Sequence, residues 1–124
     1  MTTQAATKKT LTVLITHAPY EGTLARSGLD AALAAAAFDQ PVQLIFSGHG
    51  VYNLLEQDTT VTGTRNISKL ISSLSLYDIE PIYVEASALE QSGIHHASLP
   101  AGVQVMDNAA IASLLAQSDH VVNF

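Results

Sequence analysis

The chain has 124 residues, 48% of them hydrophobic and only 13% charged, with a net charge of -6. That length supports one domain with a real core and is too short for two ordinary ones, while the acidic balance argues against a dominant phosphate- or nucleic-acid-binding role, which draws its affinity from clustered Lys and Arg. With no cysteine in the chain, disulfides, thiolate nucleophiles and thiolate metal sites are excluded together.

The charged fraction is well below the roughly 25% usual for soluble globular proteins, so much of the surface is neutral or apolar and part of it suits burial against another chain. Residues 1–9 are polar, without periodicity, and read as a flexible tail ahead of one domain over 10–124. The tail lacks the apolar core of a signal peptide, and no later run approaches the ~20 apolar residues of a membrane span. A soluble, cytoplasmic protein is expected.

Leu11 to Ile15 is a short apolar strand, ending in a loop through His17, Pro19, Tyr20, Glu21 and Gly22. From Thr23 to Phe38 the pattern is helical, with Ala25, Leu29, Ala32, Leu33 and Ala36 along one face. Its other side carries Ala31, Ala34 and Ala35, small and apolar, so this helix is expected to be covered on more than one side, by the sheet or by another subunit. After Pro41 a second strand, Val42 to Phe46, leads into Ser47-Gly48-His49-Gly50 and a short apolar segment, Val51 to Leu55. The polar stretch Glu56 to Gly63 is the longest loop in the pattern.

Ile67, Leu70, Ile71 and Leu74 fall at i, i+3, i+4 and i+7, the spacing of one helix face, with Thr64 or Asn66 as a possible cap. A turn through Asp78, Glu80 and Pro81 precedes a buried central strand, Ile82 to Ala86. Ser87 to Ser92 then forms a short helix stopped by Gly93. Val103 to Met106 is a fourth strand, Asp107 an N-cap for a helix carrying Ile111, Leu114 and Leu115, and His120 to Phe124 a fifth strand. Alternation of this kind predicts a three-layer α/β/α sandwich on a five-stranded, mostly parallel sheet, similar in appearance to flavodoxin.

In such sheets a functional crevice lies outside the carboxyl ends of the strands. His17 with Glu21, His49, Glu85 with Ser87, and His95-His96 all fall there. A His beside a carboxylate can act as acid and base, although a solvated loop histidine is the commoner role. Gly48-His49-Gly50 lacks the phosphate-loop patterns and reads as a tight turn. Ser47 is not in the setting that exposes a nucleophilic serine. The adjacent imidazoles of His95 and His96 project apart, and no ligand set completes a site, so neither a metal nor a cofactor is expected.

Read together, Leu74-Ser75-Leu76-Tyr77-Asp78-Ile79-Glu80, Val84-Glu85-Ala86-Ser87-Ala88-Leu89 and Gly93-Ile94 resemble the DsrE/DsrF-like sulfur-relay family, and its TusC/DsrF subunit most of all. Thr16 to Pro19, Gly22, Gly28-Leu29-Asp30-Ala31, Gly50-Val51 with Leu54-Leu55, and Asp119 to Phe124 agree, so the resemblance spans nearly the whole chain from Leu11. The order and spacing of these words carry it more than any one of them. This chain departs from the pattern at His49, where an acidic residue often precedes Gly-Val.

The resemblance implies an α/β fold and membership of a TusBCD- or DsrEFH-type complex, a dimer of heterotrimers. In that family a persulfide rides on a cysteine of the TusD/DsrE-like subunit, towards tRNA wobble-uridine 2-thiolation or through oxidative sulfur metabolism. That cysteine would fall at about Glu85 here, and a carboxylate oxygen cannot accept sulfane sulfur as a thiolate does. The expectation is therefore a non-catalytic subunit, not an enzyme by itself, that supports TusD/DsrE-like and TusB/DsrH-like partners and binds neither nucleic acid nor membrane directly. Partner contact is expected at Ala31, Ala34 and Ala35 and at Leu76, Tyr77 and Asp78, with a core role for Leu76 equally open. The alternative is an independent small-molecule-binding domain or enzyme using His17, His49 or Glu85.

Overall fold

A computed structural model describes residues 9–19, 22–55, 71, 73–79, 82–95, 99–100 and 102–124. Five strands, β1 (Leu11–Ile15), β2 (Val42–Phe46), β3 (Ile82–Glu85), β4 (Val103–Met106) and β5 (His120–Asn123), form one sheet in the order β4-β3-β2-β1-β5. Every pairing is parallel, with Val13 opposite Leu44 and Val122, and Val84 opposite Phe46 and Val105. Among the described residues, helices span α1 (Leu24–Ala37), α2 (Ala86–Ser92) and α3 (Asn108–Gln117), Ile71 is helical, and 3-10 helices span Gly48–Leu54 and Leu74–Tyr77.

The strand order decides where the helices go. From β1 through β4 the chain steps in one direction, so right-handed crossovers put each connection on the same face. From β4 it returns to the far side of β1, which sends α3 to the opposite face. Side-chain alternation agrees with this. Val13, Ile15, Leu44, Phe46, Ile82 and Val84 point to the first face and join Leu29 and Ala32 of α1, Val51 and Leu54 of the first 3-10 helix, and Ala88 and Leu89 of α2 in one buried cluster. Thr12, Gln43 and Ile45 point to the second face, where the Thr12 hydroxyl bonds that of Ser118 just after α3. Ile45 and Ile111 are buried there, outside the main cluster.

Local chemistry explains most boundaries. The Asp107 carboxylate accepts a hydrogen bond from the Ala110 N–H at 2.8 Å, the predicted N-cap of α3. Gly93 ends α2 in the left-handed region at φ 71°, where its own N–H donates to Glu90 and that of Ile94 to Leu89, the Schellman pattern. β3 is one residue shorter than predicted because Ala86, a strong helix former, already belongs to α2. β5 likewise stops at Asn123, and Phe124 packs its ring against the main core. Val51 and Leu54, three apart, meet on the same side of a 3-10 helix and are both buried.

Of the predicted helix before Leu74, Ile67 and Leu70 and the caps Thr64 and Asn66 lie outside the described residues, as do the loop 56–63 and residues 1–8. Ile71 and Leu74 are buried. No helix among the described residues is long and apolar enough to cross a membrane.

Candidate functional site

Because all five strands are parallel, their carboxyl ends meet at one end of the sheet, the place where folds of this kind carry a crevice, and the loops leaving them gather there. The loop after β1 is tied to that after β2 by two contacts. The Ser47 N–H donates to the Ile15 carbonyl at 3.0 Å, and the side-chain amide of Asn53 donates to the carbonyls of His17 and Gly50, each at 2.8 Å. Asn53 is fully buried within the apolar 3-10 helix, so its amide fixes one loop upon the other. Gly50 lets the chains meet: a Cβ there would stand 1.9 Å from the Ile15 carbonyl oxygen.

Glu85 ends β3, half-buried, and accepts a hydrogen bond from the Ser47 hydroxyl at 3.2 Å. Ser87, in the first turn of α2, donates to the Asn108 side-chain oxygen at 3.2 Å, joining the loops after β3 and β4. On the far side the Thr16 N–H donates to the Phe124 carbonyl at 3.0 Å, and the Thr16 hydroxyl to the Asn123 side chain at 3.1 Å. The rim of the crevice is therefore stitched strand by strand with neutral polar contacts, and Glu85 supplies its carboxylate.

The candidates from the sequence have different neighbours. Glu85 bonds Ser47, His17 has its Nδ1 at 3.5 Å from the Thr16 hydroxyl, and exposed His49 meets the Tyr52 ring edge-on at 6.2 Å between centroids. Tyr20, Glu21 and His96 lie outside the described residues, and His95 is exposed. The proton of Ser47 points to Glu85 rather than to an imidazole, the base that activates nucleophilic serines. Such a rim can bind and orient by hydrogen bonds, but it offers no thiolate to take up sulfur.

The other candidates stand away from the crevice. Ala34 is exposed while Ala31 and Ala35 are half-buried on α1. Leu76, at 81% exposure, is a surface residue, and Tyr77 and Asp78 beside it are exposed as well. Asn53 is a functional position that spacing alone does not reveal; the one signal in the sequence is a single amide inside the apolar run Val51 to Leu55. Phe38, where the helical pattern of α1 ends, is 88% exposed.

An all-parallel five-stranded α/β sheet with a thiol-free crevice is the class that these observations define. The chain belongs to the DsrE/DsrF-like family, whose sequence profile matches residues 9–124. It is 35% identical over 115 residues to a Vibrio vulnificus protein named "Protein TusC homolog", covering 92% of this chain and 98% of that one. It is 34% identical over 122 residues to the "Intracellular sulfur oxidation protein DsrF" of Allochromatium vinosum, covering 86% of this chain and 90% of that one. Among solved structures, the ychN protein of E. coli matches with a TM-score of 0.82 at 21% identity, over 95% of this chain and all of the other. That likeness shows the fold.

Proposed function

We propose that this chain is a TusC/DsrF-like subunit of a cytoplasmic sulfur-relay complex and supports a cysteine-bearing TusD/DsrE-like partner rather than carrying sulfur itself. The observation that carries this reading is a pairing: near full-length likeness to proteins named TusC and DsrF, and a chain without one cysteine. A relay step moves sulfane sulfur onto a thiolate, and Glu85 at the crevice is a carboxylate bonded to a serine. Its part is to hold a neighbour. A TusB/DsrH-like third subunit and a dimer of heterotrimers complete the assembly, serving tRNA wobble-uridine 2-thiolation or oxidative sulfur metabolism. The small side chains of Ala31, Ala34 and Ala35 on α1, and the exposed segment Leu76 to Asp78, are its proposed contacts, and the crevice residues His17, His49 and Glu85 face no reaction of their own.

Co-expression with the two partner subunits, followed by gel filtration with light scattering, tests the assembly. The expected result is one co-eluting complex; a chain that stays monomeric in the presence of both would overturn the reading. Incubating the complex with a sulfane-sulfur donor and weighing each subunit tests the chemistry. The added 32 Da per sulfur should appear on the partner alone, and its appearance on this chain would contradict the proposal.

A further inference from the structure

The sheet has two edges, and they are finished differently. β4 closes one side with three of its four residues half-buried, whereas all four residues of β5 on the other side are exposed. Being an edge strand therefore does not account for the exposure of β5. Among the described residues it pairs with β1 alone, and it leaves Val121 44% exposed on the second face and Val122 38% exposed on the first. Edge strands are ordinarily protected by Lys, Pro, a bulge or a covering element, because their free N–H and C=O groups are a template for another strand. β5, His-Val-Val-Asn, has no Lys or Pro, and its register with β1 runs without a bulge.

The hydrogen bonds to β1 fix which backbone groups of β5 remain free. The His120 and Phe124 N–H groups donate to the Thr10 and Leu14 carbonyls, and the Phe124 carbonyl accepts from the Thr16 N–H. Bonding direction alternates along a strand, so His120, Val122 and Phe124 bond inward, and Val121 and Asn123 turn both N–H and C=O outward. Those two residues are symmetric about Val122. We infer that β5 pairs antiparallel with β5 of a second copy of this chain, about a two-fold axis through Val122, joining the two sheets into one. In that register Val121 of each copy lies opposite Asn123 of the other, and each such pair exchanges N–H and C=O in both directions. Val122 meets its own counterpart in the close pair between them, on the first face.

Charge selects a second copy as the occupant. A chain at -6 meets itself favourably only where carboxylates do not oppose one another, and β5 has no Asp, Glu, Lys or Arg. The carboxylate next in sequence, Asp119, accepts the Thr10 N–H at 2.7 Å, and in this register it falls beyond Phe124 of the copy rather than opposite its own counterpart. The helices leave room. Strand spacings of ~4.8 Å set the two β1 strands about 14 Å apart, and helices pack at about 8–10 Å, so the two copies of α1, each lying over β1 and β2, do not collide. The carboxyl ends of the two sets of strands then point in opposite directions, and Tyr77 and Asp78, beside Val42 on β2, stay two strands away from the contact. The inference stands on strand geometry and does not need the relay reading.

Sedimentation velocity of the full chain over a wide range of concentration tests it, with hydrogen exchange measured on the same samples. The expected result is a monomer–dimer equilibrium in which the Val121 and Asn123 amides exchange more slowly as the dimer fills. Val121→Pro removes an outward donor, which an edge strand tolerates, and keeps the inward bonds to β1; it should raise the dimer dissociation constant about tenfold or more. Val122→Lys sets like charges opposite each other at the axis and should raise it by a similar factor. Gln104→Lys adds the same charge at an exposed position of β4 and should leave it unchanged. Circular dichroism of all three variants should match the unaltered chain, and the exchange measurement, which needs no variant, decides the question if a substitution unfolds it.

A chain that sediments as a monomer at every concentration, with both amides exchanging freely, overturns the inference, and so does a dimer that either β5 variant leaves intact. A dimer weakened as much by Gln104→Lys would reflect charge without strand pairing and overturn it too. If the chain alone is monomeric and Val121→Pro abolishes co-elution with the TusD/DsrE-like and TusB/DsrH-like pair, the edge belongs to a partner's strand and the second copy is refuted. None of these results decides the relay reading, which co-elution of the unaltered chain tests separately.

Discussion

The two faces of the sheet are built from the same strands and held in different ways. On the first, α1, α2 and both 3-10 helices cover a continuous set of branched and aromatic side chains, and Val13, Ile15, Leu44, Phe46 and Val84 are fully buried. On the second, α3 is the cover that the described residues supply. There a threonine hydroxyl bonds a serine and the Gln43 side-chain oxygen is buried without a hydrogen-bond partner among the described residues. Three successive steps in one direction load one face with helices, and one return leaves the other with α3 alone among the described residues. Topology, more than composition, sets where the dry core lies.

The difference can be broken most severely on the first face. Phe46→Ala removes a fully buried ring from the main cluster and should cost about 3–5 kcal/mol, a large part of the roughly 5–15 kcal/mol that holds a domain folded. Urea unfolding followed by circular dichroism reads it, and a loss under 1 kcal/mol would show that the cluster is loosely packed. A smaller effect is expected where α3 begins. Asp107→Ala deletes the hydrogen bond to Ala110 and should cost about 1 kcal/mol. Amide exchange should rise in α3 ahead of α1, and equal loosening of both would deny that the second face depends on α3.

The smallest effect runs the other way. Gln43→Met keeps the length of the side chain and removes the buried oxygen, so stability should hold or rise by up to about 1 kcal/mol. A lowered urea midpoint would mean that the carbonyl is satisfied in solution, and the second face would then be better built than it looks.

Much of this was legible residue by residue. Three strands, Leu11–Ile15, Val42–Phe46 and Val103–Met106, have the bounds that their apolar runs suggest, and Asp107 and Gly93 start and stop helices as capping chemistry requires. The site was less readable. Ser47 lacks a nucleophile's sequence context, and the structure makes it the hydrogen-bond donor to Glu85, 38 residues away. Asn53 ties two loops by its amide, and nothing local in Val51 to Leu55 says that a polar group there will meet His17. Leu76 looked equally fit for core or surface, since its spacing from Leu74 does not say which side of a short 3-10 turn the sheet will cover.

The sequence by itself determined the alternation of strands and helices, the caps that bound them, and the lack of any thiol, because each is a property of neighbouring residues or of the side-chain inventory. Only the tertiary structure decided the strand order, which face is dry, that Ser47 meets Glu85, and that Phe38 and Leu76 stay in water. Those depend on contacts between segments far apart in the chain, and burial is settled by which element packs over a residue rather than by the residue itself.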